Sequence, residues 1–250
     1  MTRFGIGRLR YRVCVWVLGV VSAVGGWSCS SAPVQHGAGE MAVVIEPGEN
    51  WLHDFKLPLG LQRKNAPQLA VWLTDTTGRY LKTLYVTQKT ASQGWLFSGG
   101  SRRPEALPCW SHTRGVRYED GLYLPTRRKP LSDAVTGATP RGTFRVRFSA
   151  EELPTVYMVW VEVNHSTDFN DAYPREAEPD APGWSGGRMG SGQPAVVYAA
   201  KIDSREKSLR AEAELVGHSA PDGADGSLCR DVSELTSALK IVRNIAIVSQ

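Results

Sequence analysis

The chain has 250 residues, with 29 Lys and Arg against 25 Asp and Glu, a formal net charge of +4 and four cysteines. The excess sits in the first twelve residues, where Arg3, Arg8, Arg10 and Arg12 stand without an acid, so the rest of the chain carries 25 basic and 25 acidic residues. A neutral body lacks the field that draws proteins to nucleic acid, and that class of partner is excluded.

An apolar run from Val13 to Trp27 follows the arginines. Its roughly fifteen residues fall short of the about twenty that a helix needs to cross a bilayer, and Gly19, Gly25 and Gly26 weaken it as a helix. A basic start and a short apolar stretch read as an export signal over residues 1–28, not a permanent span. Cys29, followed by Ser30, Ser31, Ala32 and Pro33, resembles the lipobox of bacterial lipoproteins. That resemblance implies a lipid on Cys29, a tether over residues 29–40 and a single body over 41–250, anchored outside the cytoplasm in the cell envelope. Release as a soluble periplasmic protein is the alternative.

In the body, apolar residues recur with period two or in short β-branched runs. Strands are predicted over Met41 to Ile45, Leu69 to Thr74, Tyr80 to Thr87, Thr143 to Phe148, Val156 to Val163, Ala195 to Ile202, Leu209 to Leu215 and Ile241 to Val248. Asp75-Thr76-Thr77-Gly78 supplies turn residues, so Leu69 to Thr87 reads as a β-hairpin. A short helical turn is expected around Pro104 to Ser111. Strands with long irregular connections predict an all-β fold, an antiparallel sandwich that is Ig-like or related. Two segments, Leu96 to Pro140 and His165 to Gln193, are too long for plain connectors, and loops of that kind carry function.

Without the signal and Cys29, two cysteines remain, Cys109 and Cys229. In an oxidising compartment they form one disulfide or stand as two separate thiols. No CxxC pair exists, which removes zinc-ribbon and thioredoxin-like sites.

The most specific string is Asp133-Ala134-Val135-Thr136-Gly137-Ala138-Thr139. It resembles the Asp-x-x-Ser/Thr-Gly-Ala-Thr motif at which extracytoplasmic flavin transferases attach FMN through a phosphoester. The resemblance implies Thr139 as acceptor, with Asp133, Thr136, Gly137 and Ala138 as the recognition string. The bland alternative is a Thr-Gly turn leading into the strand from Thr143, capped by Asp133 and Thr136. Further strings are Ala66 to Leu73, Lys82 to Val86, Trp110-Ser111-His112, Val163-Asn164-His165 and Ser191-Gly192-Gln193-Pro194. Together with Asp133 to Pro140 they resemble an uncharacterised family of predicted periplasmic proteins, a domain of unknown function often encoded near flavin transferases. That resemblance spans roughly residues 65 to 202. It implies a β-sandwich accessory of envelope redox or metal-related systems, with a flavin transferase or redox protein among its partners, and it establishes no catalytic residues.

After the strand ending at Val163, Asn164 to Tyr173 offers oxygen and nitrogen ligands: His165 with Asp168 or Asp171 suits a metal, although the spacing fits no EF-hand. Asx residues after a strand otherwise form turns. Adjacent Ser111 and His112 seldom face each other as nucleophile and base, and His112 reads as a hydrogen-bonded loop histidine. The glycine-rich stretch Ser185 to Gly192 reads as a flexible loop tip. The expectation is therefore a non-catalytic envelope lipoprotein serving as a binding module. An electron-transfer protein carrying FMN on Thr139, and a metal-binding protein or hydrolase using His165 to Asp171, are the alternatives.

Overall fold

The computed structural model describes residue 1 and residues 33–56, 62–94, 102–131, 134–206 and 208–250. The expected signal segment, Cys29 and Asp133 lie outside the described residues.

In chain order the strands are β1 Val34–Gly37, β2 Met41–Pro47, β3 His53–Lys56, β4 Gln62–Asn65, β5 Gln68–Asp75, β6 Tyr80–Thr87 and β7 Val135–Gly137. They continue as β8 Phe144–Phe148, β9 Val156–Asn164, β10 Val196–Asp203, β11 Arg210–Glu212, β12 Glu214–Ser219, β13 Leu228–Cys229 and β14 Val242–Ser249. Two short α-helices, α1 Gln88–Ser92 and α2 Pro108–Arg114, interrupt them. One sheet runs in the order β1-β8-β2-β14-β11 and a larger one β13-β12-β10-β9-β5-β6-β7, while β3 and β4 form a separate hairpin. Pairing is antiparallel except at two edges, where β1 lies parallel to β8 and β7 parallel to β6. This is the all-β sandwich that the alternating pattern predicts.

The alternation explains how the layers close. Met41, Val43 and Ile45 of β2, Phe144, Val146 and Phe148 of β8, and Ile245 and Ile247 of β14 face Leu69, Val71 and Leu73 of β5 and Tyr157, Val159, Val161 and Val163 of β9. The larger sheet is buried on its second face as well. Ala70 and Trp72 of β5 and Val197 of β10 form another apolar cluster with Leu107, Cys109, Trp110 and Leu124. The molecule therefore has three layers: two sheets, and a cover of α2 and the segment 102–131 over the outer face of the larger sheet.

Each expected strand is present, with one division. The run Leu209 to Leu215 is two strands, β11 in the smaller sheet and β12 in the larger, with Ala213 donating to the Ile245 carbonyl at 2.9 Å where the chain crosses. No glycine or proline marks that crossing, so periodicity runs through it unbroken. The hairpin β5–β6 closes as expected: Asp75 Oδ1 accepts from the Thr77 amide at 2.9 Å and the Arg79 amide at 3.0 Å. Part of the expected tether is structured, because Val34–Gly37 pair with Phe144 to Arg147 as β1.

The cover is fixed to the sheet by one carboxylate. Pro108 at the start of α2 has no N–H, and Leu107 before it has no side chain that can cap, so the amides of Cys109 and Trp110 need acceptors from elsewhere. Glu162, fully buried on β9, supplies both: Cys109 donates to Oε1 at 3.1 Å and Trp110 to Oε2 at 2.8 Å. Trp110 Nε1 donates to Thr83 Oγ1 of β6 at 2.9 Å, and Gly115, at φ 73°, ends the helix by donating to the His112 carbonyl. Burial pushes the Glu162 carboxyl up to about 8, against the pull of its two amide donors.

Replacing Glu162 with Ala strands two buried amides beside a void, and a loss of about 2–4 kcal/mol is expected from urea unfolding. The pH dependence has a definite sign. The folded carboxyl holds its proton more tightly than the unfolded one at its ordinary 4.5, so its contribution is complete below that value and lost as the pH rises through about 8. The urea midpoint is expected to fall over that window in the native chain, and Glu162→Gln to flatten it.

Candidate functional site

The loops at one end of the sandwich converge where β5 begins and β6, β9 and β12 end. The string Val135 to Thr139 arrives there as the edge strand β7, where a free turn was one expectation. Its position follows from backbone pairing with Tyr85 to Thr87, and Tyr85 Oη donates to the Gly137 carbonyl at 3.1 Å. Thr136 and Ala138 are exposed, while Gly137 and Thr139 are half-buried. Thr139 Oγ1 donates to the Pro67 carbonyl at 2.8 Å and lies 2.8 Å from Thr87 Oγ1. Thr87 in turn accepts from the Leu69 amide at 2.9 Å, so the Thr139 hydroxyl belongs to the knot where β5, β6 and β7 meet. The next residue is held too: Trp51 Nε1 donates to the Pro140 carbonyl at 2.8 Å.

Beside it the segment 165–193 is bound by a buried polar network. Ser191 Oγ donates to Asn164 Oδ1 at 2.8 Å, and Asn164 Nδ2 donates to the Gln193 carbonyl at 3.2 Å. Gln193 Oε1 accepts from the Thr236 amide at 2.6 Å, its Nε2 donates to Ser237 Oγ, and that hydroxyl donates to Asp168 Oδ1 at 2.6 Å. The backbone closes the same circuit, with the Asp168 amide bonded to the Ser191 carbonyl and the Gln193 amide to the Asp168 carbonyl, each at 2.8 Å. Gly192 makes this approach feasible: its φ is 80°, and a β-carbon there would lie 2.4 Å from the Asp168 carbonyl. The expected flexible tip is thus corrected at its C-terminal end, where Gly190, Ser191 and Gly192 are buried.

The residues proposed for metal binding part company. His165 is buried with Nε2 donating to the Asn50 carbonyl at 2.8 Å, and its ring lies 5.2 Å from that of His53. Asp168 is buried and holds Ser237, whereas Asp171 is exposed. Among the described residues, no group of three His, Cys, Asp or Glu is arranged to hold a metal ion. Burial drives the His165 ring down to about 3, against the Asn50 bond and helped by His53, so it stays neutral. Burial raises the Asp168 carboxyl, against Ser237, His53 and Gln193.

Cys109 and Cys229 are separate free thiols, not a disulfide. Cys109 is buried at the start of α2 with Sγ on the Ser227 carbonyl at 3.5 Å; Cys229 is exposed on the edge strand β13 with Sγ toward the Asp231 carbonyl. Burial, with Glu162 and Asp225 nearby, pushes the Cys109 thiol up, so it supplies no thiolate for exchange. The His112 ring lies tilted against that of Tyr123, centroids 4.2 Å apart, and Ser111 Oγ donates to the Pro108 carbonyl, so the two are not a nucleophile and base.

Sequence reasoning missed Glu105 and Arg103, a buried ion pair at 2.9 Å from which Arg103 reaches Ser166 Oγ at 2.8 Å. It also missed Asn50 and Ser237, whose types carry no pattern of their own. Asn164, His165, Ser191 and Gln193 do lie in strings that carried the family resemblance. The chain matches no family model, no curated protein and no solved structure.

Asp168→Ala removes the acceptor of Ser237 and is expected to cost about 1–3 kcal/mol, read by urea unfolding together with faster proteolysis between residues 165 and 193. His165 acts with the opposite pH sign to Glu162. Its folded value lies below the ordinary 6.5, so its contribution is complete above 6.5 and lost as the pH falls through about 3. His165→Gln is expected to flatten the acid limb of the stability profile.

Proposed function

We propose that this chain is a non-catalytic lipoprotein of the cell envelope, a sandwich tethered through Cys29 that acts as a binding or accessory module in a flavin-related redox system. The observation that carries the reading is that the reactive side chains at the loop end are committed to holding the loops. His165 is neutral and bonded to Asn50, Asp168 is bonded to Ser237, and Thr139 is bonded to Pro67. A catalytic acid, base or nucleophile needs a free face toward a reacting atom. The resemblance to the predicted periplasmic family supports the same reading, and its partners are then other envelope proteins.

A second reading, FMN carried on Thr139, draws on the placement of β7 at a sheet edge with Thr136 and Ala138 exposed, which leaves the recognition string open to a transferase. Attachment there replaces the hydroxyl proton that the Pro67 carbonyl accepts, so the knot has to loosen. When bound, the flavin supplies the redox chemistry; Thr139 is the residue that holds it, and Asp133, Thr136, Gly137 and Ala138 the residues that are recognised.

Intact-mass measurement after co-expression with a flavin transferase tests the choice. An unmodified, colourless chain is expected on the first reading, and an FMN-sized increment that disappears in Thr139→Ala overturns it in favour of the second. In the native cell, Cys29→Ala is expected to move the protein from the membrane fraction to the soluble one.

A further inference from the structure

The balanced charge of the body hides a local imbalance. Residues 102–131, the cover over the larger sheet, carry seven arginines and lysines against three acids. One of those acids, Glu105, is buried with Arg103 away from the surface. Four of the cations, Arg102, Arg127, Arg128 and Lys129, line a concavity of about 350 Å³ with two acids, Glu119 and Asp120, and with Tyr118, Gln93 and Thr126.

The walls are built. Arg102, its side chain 10% exposed, is paired with Asp120, bonded to the Leu124 carbonyl and seated 5.4 Å from the centre of the Tyr118 ring. Arg114 donates to Tyr118 Oη at 2.9 Å and lies 5.8 Å from the ring, so Tyr118 is gripped by two guanidinium groups. Among the described residues, Arg102 Nε on this wall and Arg114 Nη1 beside Tyr118 are buried nitrogens with no hydrogen-bond partner. Thr126 and Lys129 close a turn, with the Lys129 amide donating to Thr126 Oγ1 at 2.9 Å. The two acids neutralise Arg102 and, at 2.7 Å, Lys129. Among the described residues no carboxylate pairs with Arg127 or Arg128 at the rim, and Arg127 Nε donates to the Gln93 carbonyl at 3.4 Å.

We propose that this concavity binds a phosphate-bearing anionic group. Its volume is at the lower end for ligand pockets and exceeds what a single small ion fills, since a water's share of liquid volume is about 30 Å³. Planar guanidinium groups meet phosphate oxygens in pairs, and the uncompensated charge at the rim is arginine. None of its lining residues belongs to the Thr139 string or the Asp168 network, and it does not depend on the function proposed above.

The test uses the purified chain and two probes: inorganic pyrophosphate followed by titration calorimetry, and phosphatidylglycerol vesicles against phosphatidylcholine vesicles followed by sedimentation. Saturable binding of pyrophosphate that weakens at least tenfold in the double variant Arg127→Ala, Arg128→Ala and as salt is raised supports the site with a free phosphate ligand. Binding confined to phosphatidylglycerol vesicles and lost in the same double variant supports it with a lipid headgroup as the source. Both arginines are exposed, so the variant is expected to keep its unfolding midpoint. Glu119→Gln, which frees Lys129, is expected to tighten pyrophosphate binding severalfold. No saturable binding of either probe at low salt, or binding that the double variant leaves unchanged, overturns the proposal.

Discussion

The cover of the larger sheet is placed by the hydrogen bonds of Glu162. A seven-residue helix has little stability of its own, and one that begins Leu-Pro has neither a capping side chain nor, at its first position, a donor to satisfy. The carboxyl group reaching up from β9 takes the two amides that the helix leaves unpaired and so sets where the helix starts and which face it turns to the sheet. Trp110 is then directed onto Thr83 and Leu107 into the apolar cluster, and the loops that follow inherit that frame. Burying an ionisable group is unfavourable by itself; two amide donors and complete enclosure make it tolerable here. Removing the acceptor detaches a layer, whereas trimming one apolar side chain in that layer merely loosens it.

At the loop end, the same economy of polar groups recurs. Asn164, Ser191, Gln193, Ser237 and Asp168 satisfy one another and the backbone, and in doing so bring together residues 27 to 69 positions apart. Within a low-dielectric interior, a satisfied network of this kind rigidifies its surroundings. The Thr139 knot does the same for β7. The cover carries the opposite character: a half-open hollow whose arginines outnumber the acids beside them.

The strands were legible because burial on one face leaves a two-residue rhythm, as in Val43 and Ile45 of β2 or Val146 and Phe148 of β8. What escaped was short, at an edge, in the separate hairpin or crossing between layers: β1, β3, β4, β7 and β13 have too few residues to show a rhythm, and the passage from β11 to β12 keeps its rhythm through Ala213. Glu162 escaped for a different reason. In the strand Val156 to Val163 it reads as an ordinary outward polar residue, because its position predicts solvent on that face, and only the existence of a third layer makes it interior. The Leu107-Pro108 start of α2, lacking a cap of its own, was the available hint. The candidate site was half visible. The string around Thr139 and the His165 region stood out by residue type, but the reason they hold still, bonds from Thr87, Asn50 and Ser237, lies in contacts between distant segments.

One consequence follows from β1. Hydrogen bonding to β8 begins at Val34, so on the lipoprotein reading only Ser30 to Pro33 stand between the acylated cysteine and a residue locked into a sheet. Five backbone steps reach at most about 18 Å. On that reading a leash so short would keep the module skimming the lipid surface, where its effective concentration toward other membrane-held proteins would be high and toward freely diffusing ones no different from that of any fixed target.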